Sequence, residues 1–121
     1  MAYRTVKESF WTYLDSLVHA AELVIDRPKG SSHPRYRSIV YPFDYGYLKG
    51  TSAGDGNEID AWHGSLTENT LEAVVCTVDV LKRDMEVKVL LGCTEKEQIV
   101  IRDFYNGGRY MAAILIKREA M

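Results

Sequence analysis

Between residues 55 and 60 the chain places Asp55, Asn57 and Asp60, three oxygen-bearing side chains within six residues, flanked and interleaved by Gly54 and Gly56. Glycine lets a backbone bend sharply enough to converge such groups, and hard oxygen donors at this density suit Mg²⁺. The same residue types form turns for conformational reasons alone, so a turn opening a strand accounts for the spacing equally well. An EF-hand calcium loop is excluded, because it requires Asp or Asn at Ile59, Gly at Asp60 and Glu at Leu66. A second group, Asp84, Glu86 and Lys88, alternates with the apolar Met85, Val87, Val89 and Leu91. In a strand this sets two carboxylates and a lysine on one face, either a solvated surface or the far wall of an Mg²⁺-phosphate site. A third group, Arg27, Lys29, His33, Arg35 and Arg37, crowds potential cations into RPKGSSHPRYR. A solvated turn is one account of it. If residues 36–41 form a strand, however, Arg35 and Arg37 point to the same face, and two guanidiniums there can hold phosphate oxygens bidentately.

The elements that must position these groups are readable from periodicity. Val6, Phe10, Leu14, Leu17, Val18 and Ala21 recur at helical steps, predicting an amphipathic helix over 5–21, with Thr5 and Glu8 spaced as a capping box. Val24 and Ile25 predict a short strand leading to Asp26. Tyr41, Tyr45 and Tyr47 surround Pro42 and Gly46 and read as an aromatic-rich loop. Strands are expected over 58–63 and 71–81, with Lys82 and Arg83 turning a hairpin into the alternating segment from Asp84. Thr94 and Glu97 repeat the capping-box spacing and start a helix through Tyr105 that Asn106, Gly107 and Gly108 stop; a last strand follows over 110–116. One helix, about five short strands, a helix and a strand, without regular βαβ alternation, predict an α+β fold built on a small barrel.

With 121 residues, 46% hydrophobic and 26% charged, the chain is long enough for one core and is expected to be a single domain over 1–121. A net charge of −2 supplies no global basic field, so nucleic acid is not an expected partner and any electrostatic function is local. No apolar run approaches the roughly 20 residues that span a bilayer, so no membrane association is expected. The opening MAYRTVKESFW has no signal-type apolar segment, and Cys76 and Cys93 lack CxxC spacing and read as core residues or free thiols. These features point to a reducing cytoplasm.

The ordered pieces DRPKGSSHPRY (26–36), YPFDYGY (41–47), DGNEID (55–60), VLKRDMEVK (80–88) and FY (104–105) resemble the soluble family I inorganic pyrophosphatases. The resemblance covers roughly residues 24–106. It implies an OB-like mixed barrel with flanking helices, Mg²⁺-dependent hydrolysis of inorganic diphosphate by metal-activated water, and a possible homo-oligomer. Matched by position, Asp55, Asp60, Asp84 and Glu86 stand as Mg²⁺ ligands, and Asp26 stands where the family has a Glu. Lys29 falls in the family's PKG turn, Arg35 and Lys88 are placed as phosphate binders, and Tyr45 and Tyr105 as hydrogen-bond partners of phosphate or of metal-held water. Arg37 replaces a usual Glu and is a candidate to substitute for an arginine on a hairpin that this chain omits. Asn57 occupies the position of the family's proton-accepting Asp; an amide can ligate but cannot act as a base, so the candidates are the adjacent Glu58, expected on the strand face of Asp60, or hydroxide made by Mg²⁺ alone. Asn106 replaces a Lys. The implied chemistry agrees with the residue types, because cleaving a phosphoanhydride needs charge neutralisation more than covalent help.

Overall fold

The structure, a computed structural model, describes residues 2–118, with the backbone alone for 2–6. Helix α1 spans Ala2–Ala20 and is already under way at Thr5, so the expected capping box there is not the helix start. Six strands follow, β1 (Glu22–Arg27), β2 (Asp44–Lys49), β3 (Ile59–His63), β4 (Leu71–Asp79), β5 (Asp84–Leu91) and β6 (Met111–Lys117), with helix α2 (Glu95–Asn106) before the last. They form one mixed sheet in the order β1-β2-β3-β5-β4-β6, whose single parallel pair is β3 with β5. The fold is therefore α+β, as expected, but the sheet does not close into a barrel. Closure needs the outer strands to pair. Here β1 and β6 are opposite edges, and a helix lies on each face instead. No helix among the described residues is long and apolar enough to cross a membrane.

Two cores result, one on each face. Trp11 and Val18 of α1 pack on Leu48, Ala61, Val74, Val89 and Leu91. On the other face Ile101 and Tyr105 of α2 pack with Tyr41, Trp62, Ala73, Val75 and Leu90. The Thr94 and Glu97 capping box forms as predicted: Glu97 N donates to Thr94 Oγ1 at 3.2 Å and Thr94 N donates to the Glu97 carboxylate at 2.8 Å. The segment read as an aromatic loop is largely strand β2, and Gly46 is the reason. A Cβ there would stand 1.7 Å from the Val24 carbonyl oxygen of β1, so only glycine lets β1 and β2 approach this closely.

The predicted strand over 36–41 is absent. Gly30 N donates to Tyr41 O at 2.8 Å, Tyr41 N to Ser31 O at 2.9 Å and His33 N to Ile39 O at 2.8 Å, folding the segment back on itself through an isolated bridge of Ser32 with Val40. Pro34 fits this loop because it has no N–H to give to a ladder. Arg35 and Arg37 consequently do not share a strand face; both are exposed on the loop. Strand β4 ends at Asp79, where its carboxylate accepts from Leu81 N and Lys82 N, each at 3.0 Å, and opens the hairpin. On β5 the burial runs against the hydropathy pattern: Met85 and Val87 are 77% and 50% exposed, whereas Lys88 is 7% exposed. The face carrying Asp84, Glu86 and Lys88 is thus not a solvated surface at its lysine.

Candidate functional site

Strand register builds the site. Tyr47 pairs with Asp60 and Tyr45 with Trp62 across β2 and β3, and the parallel pair Ala61 with Val89 sets Asp60 beside Lys88. Asp60, Trp62, Glu86 and Lys88 therefore project to the α2 side of the sheet. Thr51 Oγ1 fixes the beginning of β3 by accepting from Ile59 N at 3.1 Å. From the helix above, Tyr105 comes down on the same spot, and the Trp62 indole N–H donates to its hydroxyl at 3.0 Å. Asn106 locks that end of α2 to β6, donating to Ala113 O at 3.0 Å while accepting from Ala113 N at 3.1 Å. The bracket holds the end of α2 that carries Tyr105.

Lys88 Nζ is the centre. It donates to Tyr45 Oη at 2.9 Å, Asp60 Oδ2 at 2.9 Å and Glu86 Oε1 at 2.7 Å, and an ammonium has three protons to give. Burial opposes its charge, but the Tyr105 and Tyr45 hydroxyls, Asp60 and Glu86 outweigh it and hold the ammonium well above the ordinary 10.5. Burial above all pushes the Tyr45 and Tyr105 phenols upward as well, with Lys88 pulling each the other way. The result is a fixed cation with two partly exposed carboxylates and two neutral phenols around it. Aromatic rings form the floor: Tyr45 meets Trp62 edge-on at 4.8 Å, Trp62 meets Tyr105 at 6.0 Å, and Tyr41 stacks on Tyr45 at 5.4 Å.

Beyond that floor lies a cationic rim. The Arg27 guanidinium donates to the Tyr41 hydroxyl and stands 5.5 Å over its ring. Lys29 N donates to Asp44 Oδ1 at 2.8 Å, and the Lys29 ammonium sits over Phe43. Burial and the charges of Arg27, Arg35 and Lys82 lower His33, which keeps the ring neutral and able to accept from Arg35 N and Tyr36 N. The sequence offered Arg27 as a potential cation and Tyr41 as an aromatic loop residue but not as partners, and Trp62 was not singled out. Trp62 carried a signal, since it alternates with Asp60 on one strand; Arg27 and Tyr41 are joined only by the fold.

Not every candidate reaches this centre. The turn at 53–57 is self-contained and exposed: both Asp55 oxygens accept from Asn57, Oδ1 from its backbone N–H at 3.0 Å and Oδ2 from its amide at 3.4 Å. Glu58 is exposed one residue before β3, so no strand pairing sets it on the face of Asp60. Asp84 lies two residues up β5 from Glu86, opposite Asp79, and Asp26 is exposed at the irregularity between Ile25 and Arg27 in β1. Among the described residues no group of three His, Cys, Asp or Glu side chains could hold a metal ion. Two carboxylates nevertheless fit Mg²⁺, which takes one or two of them and fills its octahedron with water and substrate phosphates. In Asp60 and Glu86 the bonds to Lys88 use one oxygen each, leaving the other for such a role. No protein-family model matches the chain, and a search of curated proteins finds no match.

Proposed function

We propose that the chain binds inorganic diphosphate and, with Mg²⁺, hydrolyses it to two phosphates. One observation carries the reading: Tyr45, Asp60, Glu86, Lys88 and Tyr105, drawn from four of the separate segments that resemble pyrophosphatases, meet around one ammonium. In this reading Lys88 is a permanent charge for a phosphate oxygen, and it offers an N–H by releasing Asp60 or Glu86. Those two carboxylates would hold Mg²⁺, which supplies charge neutralisation and a water of lowered pKa. Tyr45 and Tyr105 stay protonated and can donate to phosphate oxygens, while Arg27, Lys29, Arg35 and Arg37 attract the polyanion from the rim. With Asn57 unable to take a proton and Glu58 outside the centre, the proton of the attacking water would leave to solvent, its pKa lowered by Mg²⁺. The OB-like character that the resemblance implies for the open sheet belongs to the same reading.

A second reading is diphosphate binding with little turnover. It is favoured by the Asp55 carboxylate, which is occupied by the Asn57 amide, and by the lack of a base at position 57. Phosphate release from diphosphate, measured with Mg²⁺ and after chelation, separates the two. Release that depends on Mg²⁺ is expected; binding without release supports the second reading. Release that survives thorough chelation, or neither binding nor release, refutes the first.

A further inference from the structure

The α1 side of the sheet is only half covered. Register places Val74, Val89 and Ile116 in one row across β4, β5 and β6, and α1 packs at that level on Val74 and Val89. The next row is Val87, Cys76 and Ile114, and the row after it Met85, Val78 and Ala112. None of these six is charged, and Val87, Ile114, Met85 and Val78 are 50%, 62%, 77% and 41% exposed. An antiparallel sheet face that meets water ordinarily alternates to polar residues. This one does not.

Helix α1 exposes a second apolar strip next to it. Phe10, Tyr13 and Leu17 each precede a residue that packs inward, Trp11, Leu14 and Val18, so at about 100° per residue they form one stripe along a flank of the helix. Asp15 leaves the opposite flank and takes both Arg118 guanidinium nitrogens, at 2.9 and 2.8 Å, just past the end of β6. The stripe is thereby turned away from that end of the strands and toward the uncovered rows. Floor and flank make an apolar trough, with a sheet surface lacking a helix and a helix side lacking a sheet.

We propose that this trough is a homodimer interface in which α1 of each copy lies on the other copy's uncovered β4-β5-β6 rows. The commitment to a second copy follows from complementarity: each copy carries both missing halves, so a two-fold axis covers both at once and leaves no open end. Area supports it. The exposed fractions of Phe10, Tyr13, Leu17, Val78, Met85, Val87, Ile114 and Ile116 amount to roughly four whole side chains. At about 100 to 200 Å² each this is on the order of 600 Å², and a polar rim brings it near the ~800 Å² per partner of a stable dimer. The interface lies on the sheet face opposite Lys88, so it is independent of the proposed function.

The full chain should sediment at twice 13.8 kDa at micromolar concentration. Val87→Lys and, separately, Leu17→Glu should each yield a folded monomer, because both positions are open to solvent in the single chain, and reagent access to the Cys76 thiol should rise several-fold with dissociation. Circular dichroism checks folding, and either variant suffices if the other fails to fold. A wild-type chain that stays monomeric overturns the proposal. So does a dimer that persists in the folded variants with the reactivity of Cys76 unchanged.

Discussion

Raising the pH should unfold this protein over a narrow range, with a steepness set by the site. Lys88, Tyr45 and Tyr105 all keep their protons in the fold to higher pH than in the unfolded chain, where the ordinary values are 10.5 for the lysine and 10.0 for the tyrosines. For a group whose folded pKa is raised, the stability is fully present below the unfolded value and is lost as pH climbs from there toward the folded one. Each such proton contributes about 1.4 kcal/mol per pH unit, so above roughly pH 10.5 the three together take away about 4 kcal/mol per pH unit. This slope removes the lower end of a total stability of about 5 to 15 kcal/mol within roughly one pH unit and would need roughly four for the upper end. Cys93 starts the decline earlier: burial first, then Glu97, push its thiol from 9.0 up to about 12. The assay is a series of urea midpoints between pH 8 and 11.5, with tyrosinate absorbance recorded alongside. Of the eight tyrosines, two should ionise only with the unfolding transition, and Lys88→Met should flatten the slope by about one proton. Ionisation of all eight near pH 10 in a chain that retains its near-UV dichroism would refute the account of the Lys88 centre.

Lys88→Ala and Glu86→Ala should each lower kcat/KM for diphosphate at least about tenfold, or about 1.4 kcal/mol of transition-state stabilisation, with folded variants compared by steady-state kinetics. Asn57→Asp and Glu58→Gln should each leave turnover within about twofold, since neither side chain reaches the Lys88 centre, whereas general-base assistance is worth about 10² to 10⁴ in rate; a change of that size in either folded variant would bring this turn into the reaction. Gly46→Ala should destabilise by about 3 kcal/mol or more in urea titration, since the added methyl meets the backbone of β1 rather than a side chain that can move.

What the sequence made legible is what local pattern controls. Alternation located β5 and a β-branched run located β4, and Thr94 with Glu97 marked the start of α2 because capping needs only neighbours in the chain. Strand β2 was hidden by its own requirement: Gly46 reads as a strand breaker until the approach of Val24 is known. Residues 36–41 were misread as a strand because the bonds of this loop run within the segment, between groups whose partners no periodicity reveals. The site was half visible. Spacing pointed to Asp60, Glu86 and Lys88, but the burial of Lys88 depends on Asp60, 28 residues away, on Tyr45, 43 away, and on Tyr105 from helix α2. Alternation separates the two faces of β5; it does not tell which helix covers which face, and so Met85 and Val87 lie open where their hydropathy suggested burial.

The parallel pairing of β3 with β5 joins two antiparallel halves, β1-β2-β3 and β5-β4-β6, through only three registered pairs, Ala61 with Val89, Trp62 with Leu90 and His63 with Leu91. Tyr45 and Asp60 belong to one half, Glu86 and Lys88 to the other. The Lys88 bonds to Tyr45 and Asp60 are therefore rivets across a seam, and ligand occupancy and seam closure are one equilibrium seen from two sides. Whatever bridges Asp60 to Glu86 must slow the parting of the halves, and deuterium uptake by the amides of residues 61–63 and 89–91 becomes a gauge of how full the site is.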